Sequence, residues 1–163
     1  MKILVVVFIL IATNVFSKEI ETNQLVYTIP ENVEVEKKER DFTTFTWKNK
    51  NNFNLLMIYP FPVSTPVSNI PVLADTMQKS FEQEMAKNNN VKIVKQKKTD
   101  VEIGSFKGVE ISFTLNKKGN GKPIYQKIYL FAVGQKIYNG QLTATTEEDI
   151  NVANEIIKSS KIK

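Results

Sequence analysis

The stretch FKGVEISFTL at residues 106–115 alternates without a break. Val109, Ile111, Phe113 and Leu115 fall on one face, and Gly108, Glu110, Ser112 and Thr114 on the other. That is the period of a strand with one side against a core. The polar tract KKGNGKP at 117–123 follows as a hairpin tip, and IYQKIYLFAV at 124–133 returns as a second strand. In that return, Ile128 to Val133 is apolar on both faces, which suits the centre of a sheet covered on both sides. Two long strands joined by a tip are antiparallel, and the rest of the chain is read around them.

Downstream, Gly134-Gln135 and Asn139-Gly140 compete as the next turn. Asn-Gly is the stronger local signal, but it leaves only residues 141–144 for the last strand. The turn is therefore placed at Gly134-Gln135, with Gly140 inside the strand as a bulge or a point of close approach. Thr145 to Glu148 reads as a capping box, Thr145 accepting from the Glu148 backbone and the Glu148 carboxylate reaching back. It opens a helix over about 146–159 with Ile150, Ala153, Ile156 and Ile157 inward.

Upstream, Val91, Ile93, Val101 and Ile103 mark one long or broken strand with a polar middle, closed by a turn at Gly104-Ser105. A helix is predicted over 71–87, with Pro71 in its first turn. Leu73, Met77, Phe81 and Met85 recur along it every four residues, an apolar stripe. If the stripe enters the core, Phe81→Ala costs roughly 3–5 kcal/mol, and if it is an open binding surface far less than about 1 kcal/mol. The segment from Phe61 to Pro71 is a proline-rich loop. Residues 43–47 and 53–59 form a hairpin about an Asn-rich turn. A short strand at 25–30 stops at Pro30. Residues 31–41 are charged and read as an exposed loop or solvated edge, and 18–24 as a frayed polar start. The sum is an α+β chain, an antiparallel sheet of about six to seven strands covered by helices on both faces.

The first seventeen residues are different in kind. Lys2 precedes an unbroken apolar run from Ile3 to Ala12, and Val15 and Ser17 occupy the small-residue positions of a cleavage site. The run is shorter than the roughly 20 residues that span a bilayer. A signal peptide over 1–17, cleaved after Ser17, is predicted, leaving one domain over 18–163. The chain is thus expected to be exported, to the periplasm or beyond.

Composition excludes more than it identifies. The net charge is +5 across 163 residues, with no His and no Cys. The absence of Cys removes disulfides from a chain bound for an oxidising compartment. The absence of His removes the commonest general base, the Ser-His and Cys-His nucleophile systems and the usual zinc ligands. No catalytic residue, metal site or cofactor is expected. Glu147, Glu148 and Asp149 read as acids favoured by a helix N-terminus. Glu110 is the one acid whose burial under a helix would reopen the question of catalysis.

Several of these elements line up with a family. They are Tyr27-Thr28-Ile29-Pro30, the Thr46-Trp47 strand, the long helix, Gly104-Ser105-Phe106-Lys107-Gly108-Val109-Glu110, a strand ending in Leu-Phe-Ala-Val, Lys136-Ile137-Tyr138, and a last helix ending Ile-Ile-Lys-Ser-Ser. The chain resembles the PsbP-like superfamily, which includes exported bacterial DcrB-like proteins. The resemblance implies an α/β/α sandwich and a role in binding or assembly. It supplies no catalytic motif, and the metal ligands of another member of the superfamily, the extrinsic photosystem II protein, do not carry over as a set without His.

Lys92, Lys95, Lys97 and Lys98, with Lys117, Lys118 and Lys122, form a basic face if their strands are neighbours. Such a face suits an anionic surface or an envelope protein; held apart on an edge, the same lysines merely block aggregation. Tyr125, Tyr129, Tyr138 and Trp47 either line a groove or fill the core with polar tips at its rim. Nucleic acid is not an expected partner of an exported chain, and no transmembrane span is expected after cleavage. The alternative function is a carrier of a small apolar ligand or lipid. Its pocket would lie between the first helix and the sheet, with the 61–71 loop as a lid.

Overall fold

The computed structural model describes residues 17–22, 24–37, 42–49, 52–62 and 65–163. Apart from Ser17, the expected leader lies outside the described residues, as do 38–41 of the charged tract. Numbered in chain order, the strands are β1 (Ser17–Glu21), β2 (Leu25–Pro30), β3 (Glu34–Lys37), β4 (Thr43–Asn49), β5 (Asn52–Pro60), β6 (Val91–Ile103), β7 (Phe106–Lys117), β8 (Asn120–Val133), β9 (Lys136–Ala144) and β10 (Lys161–Ile162). The helices are α1 (Ile70–Ala86) and α2 (Glu147–Lys158).

Seven strands form one antiparallel sheet in the order β3-β4-β5-β9-β8-β7-β6, and β1-β2-β10 form a second, three-stranded sheet. The doubly apolar strand β8 lies one place off the centre, which β9 occupies. Its alternation sends Tyr129, Phe131 and Val133 into a cluster with Leu25, Tyr27 and Ile29 of β2 and Ala153, Ile156 and Ile157 of α2. Ile128 and Leu130 join the other cluster, with Ile70 and Ala74 of α1. Leu73, Met77, Phe81 and Met85 pack against that second cluster while only partly buried. The class, the antiparallel sheet and the two helices are as the sequence indicates. On one side, however, β2 shares the covering with α2, and on the other α1 lies against β6, β7 and β8.

Two local readings change and a third is narrowed. The polar start is a strand: β1 pairs with β2, Ile20 opposite Tyr27. Ile20 is its one apolar residue, so a solvated strand carried no periodic signal. Residues 34–37 form the edge strand β3, consistent with a solvated edge. The helix cap moves by one residue. Thr146 is the N-cap of α2; its hydroxyl accepts from the Asp149 amide at 3.2 Å and donates to Asp149 Oδ2 at 2.6 Å. Glu148 instead accepts from Asn49 Nδ2 at 3.1 Å. Trp47 decides the shift, because its Nε1 donates to the buried Asp149 Oδ1 at 3.2 Å. Asp149→Ala is expected to cost about 1–3 kcal/mol in urea denaturation, since it strands the buried Trp47 Nε1 and removes the acceptor of the part-buried Thr146 hydroxyl; Glu148→Ala is expected to cost less than about 0.5 kcal/mol.

The preferred last turn stands. Gly134 sits at φ 59°, the left-handed region its turn requires, and Gly140 lies inside β9 opposite Tyr129. A Cβ on Gly140 would lie 3.3 Å from Tyr129 Cβ, so the backbone does approach a side chain closely there.

Candidate binding face

Strand register places the lysines. Lys97, Ser112 and Lys127 form one row across β6, β7 and β8, and Lys95, Thr114 and Tyr125 form the next. Directly opposed residues in antiparallel strands share a face, so both rows lie on the α2 side, beside Tyr129 and Phe131. The sequence parity alone puts Lys92 and Lys95 on opposite faces. A bulge between Ile93 and Lys95 corrects this, and Lys92, opposite Asn116, joins the same side. A depression of 170 Å³ lies between the rows, lined by the six residues of the rows and by Phe113.

Lys127 Nζ pairs with Glu110 Oε1 at 2.9 Å, the two side chains being 15% and 19% exposed. Glu110 is thus largely enclosed and held in an ion pair, opposite Tyr129 on the α2 side of the sheet. Lys127 also lies 5.9 Å from the Tyr129 ring centroid, within cation–π range. Lys95 and Lys97 are exposed, and among the described residues neither meets a carboxylate.

The other expected site residues separate from these. Lys98 points to the opposite face and pairs with Asp75 of α1, and its hydrogen bond holds the Asp75 carboxyl below the usual carboxylate range. Lys117, Lys118 and Lys122 sit at the β7–β8 tip, where the Lys118 amide donates to Asn90 O at 2.9 Å. Tyr129 and Tyr138 are buried, not groove-lining: their hydroxyls donate to Asn154 Oδ1 at 3.1 Å and Gln24 Oε1 at 3.0 Å. Trp47 is buried as well. Of the aromatic set only Tyr125 lies on the open face. Lys127 is the residue the sequence reading omitted, although it shares the parity of Tyr125 and Tyr129.

Burial pushes the Tyr129 hydroxyl far above the usual tyrosine range, and the Glu110 carboxylate adds to the effect. Burial also raises Tyr59, against hydrogen bonds from Gln141 and Asn139. Both groups hold their protons more tightly folded than unfolded. The stability this represents is complete below about pH 10 and is lost as pH rises towards the folded values. In urea denaturation at about pH 9 and about pH 11, Tyr129→Phe is expected to show a smaller alkaline loss than the unaltered protein.

On the opposite face, a cavity of 430 Å³ lies between α1 and strands β8 and β9, lined in part by Phe61, Leu73, Met77, Phe81, Gln126 and Ile128. Gln126 Oε1 is buried there without a hydrogen-bond donor among the described residues. Phe61 is the only residue of the proline-rich loop in this lining; Val63 and Ser64 lie outside the described residues. Phe81 is half-buried, its ring centroid 4.2 Å from that of Phe113. The cost of Phe81→Ala therefore falls to about 1–3 kcal/mol, below that of a fully enclosed ring, as read by chemical denaturation.

Among the described residues no helix is long and apolar enough to cross a membrane, and no cluster of three acidic, His or Cys side chains is placed to hold a metal. No protein-family model matches the sequence, and no curated protein matches it. Solved structures share its fold. Cyanobacterial PsbP from Synechocystis sp. PCC 6803 aligns with a TM-score of 0.59 at 8% identity, over 91% of this chain and 94% of that one. LpqN of Mycobacterium tuberculosis, described as involved in cell envelope biogenesis, aligns at 0.51 and 12% identity, over 91% of each chain. A Bacteroides thetaiotaomicron protein aligns at 0.50 and 14% identity over 85% of this chain, which spans only 45% of the Bacteroides one. The fold is PsbP-like.

Proposed function

We propose that this PsbP-like chain is an exported, non-enzymatic binding or assembly module of the cell envelope. The observation that carries the reading is the fold, shared over 91% of the chain with an envelope-biogenesis protein. In this reading residues 1–17 are removed on export and 18–163 form one domain, periplasmic or extracellular. Its partner is an envelope protein or an anionic surface, not nucleic acid. Intact-mass measurement of the exported protein tests the processing: a mass that retains residues 1–17 means an anchored chain.

The absence of turnover is a chemical argument. Acid–base work near neutral pH needs a group whose pKa lies near the operating pH. Without His or Cys, that group must be a carboxylate or lysine perturbed by its surroundings. Glu110, the best placed, is engaged by Lys127 at 2.9 Å. A broad activity screen tests this, and a robust turnover abolished by Glu110→Gln would overturn the non-enzymatic reading.

The 430 Å³ cavity supports a second reading, a carrier of a small apolar ligand or lipid. Leu73, Met77 and Phe81 provide the apolar wall, and Gln126 Oε1 awaits one donor. Native mass spectrometry of the purified protein distinguishes the readings: a retained ligand, displaced by Met77→Trp, favours the carrier.

A further inference from the structure

We infer that the rows Lys97–Ser112–Lys127 and Lys95–Thr114–Tyr125 form a docking site for an extended acidic segment of a protein partner. This deepens the binding-module reading and rests on it. The charge is one-sided: Lys92, Lys95, Lys97 and Lys127 stand on this part of the face, and Glu110 is the carboxylate that β6, β7 and β8 place beside them. Since Glu110 is paired with Lys127, the charges of Lys95 and Lys97 remain for a partner. Shape selects the kind of partner. Asn154 of α2 caps Tyr129, the next residue inward from Lys127 on this face of β8, so α2 stands beside the rows on that side. Layers pack about 10 Å apart, so a planar bilayer resting on α2 stays clear of the lysine rows, whereas a single chain reaches them. Lys95 and Lys97 are two residues apart on an extended strand, about 7 Å. Carboxylates at alternate positions of an extended segment share that spacing. The bulge at Val94 brings Lys92 into the same line.

Fluorescence anisotropy with a labelled peptide of alternating glutamate and serine, titrated with the mature chain, tests the site. Binding is expected to weaken by about tenfold or more in the double variant Lys95→Glu/Lys97→Glu, and by less than about twofold in Lys117→Glu/Lys118→Glu, which changes net charge equally. It is also expected to weaken between about 50 mM and about 300 mM salt. Equal loss in both variants, or no binding by the unaltered chain, overturns the site. So does binding to phosphatidylglycerol vesicles that depends on Lys95 and Lys97 while the peptide fails. Capture from envelope extract separates the two levels. A specific partner retained equally by unaltered and double-variant chains leaves the module reading standing and removes this site. Both variants alter exposed residues, and a thermal midpoint within a few degrees of the unaltered chain establishes that each is folded.

Discussion

Phe131→Ala is expected to destabilise the protein by about 3–5 kcal/mol in chemical denaturation. Phe131 is 1% exposed on β8, between Phe106 and Tyr138, whose ring centroids each lie 5.8 Å away. The three rings come from β7, β8 and β9, so the sheet cannot close the space without moving three strands. Phe53→Ala is the control: that ring is 58% exposed and is expected to change stability by less than about 0.5 kcal/mol. A loss below about 1 kcal/mol for Phe131→Ala would mean that the larger cluster is not the core.

Gly104→Ala is expected to cost about 2–4 kcal/mol, through strain and displaced backbone together. Gly104 has φ +58°, and a Cβ there would lie 1.9 Å from the Ser160 carbonyl oxygen. That carbonyl cannot move freely. Ser159 Oγ accepts from the Thr28 amide at 2.8 Å and donates to Thr28 O at 3.0 Å, and Lys161 pairs with Val26 in the small sheet. Pushing Ser160 away therefore loosens the junction between the two sheets. Gly134→Ala isolates the cause. It has a similar φ of +59° with open space around it, and is expected to cost only about 1 kcal/mol. Hydrogen exchange should rise in β2 and β10 for the Gly104 variant alone. Equal losses in the two variants would show that the close approach contributes nothing.

The Gly104 contact also joins two segments that the sequence singles out. The Gly-Ser-Phe-Lys-Gly turn and the Ile-Ile-Lys-Ser-Ser helix end stand far apart in sequence, yet they meet where Gly104 touches Ser160. Elements with strong patterns were legible: β7 from alternation, β8 from an apolar run on both faces, α1 and α2 from apolar stripes, and the last turn from strand length. What sequence concealed depended on tertiary neighbours. β1 has one apolar residue and exists through its pairing with β2. Asp149 replaces Glu148 in the cap because a buried indole also needs its carboxylate. Tyr129 and Tyr138 have the composition of interface residues, but burial and a hydroxyl partner for each place them in the core. The basic face was legible in kind and not in membership. Counting lysines joined Lys98 to Lys97, whereas strand parity separates them, and only the bulge brings Lys92 to the side of Lys95 and Lys97.

Photocrosslinking from position 125 in the exporting cell tests the central claim, a binding module with its contact face on β6–β8. With p-benzoylphenylalanine in place of Tyr125 in the full chain, the expected result is a discrete adduct with one acidic envelope protein. The same probe at Val72, 66% exposed on α1, is expected to give no such adduct. An adduct from position 72 alone, or none from position 125 in cells that export the protein, would contradict the account.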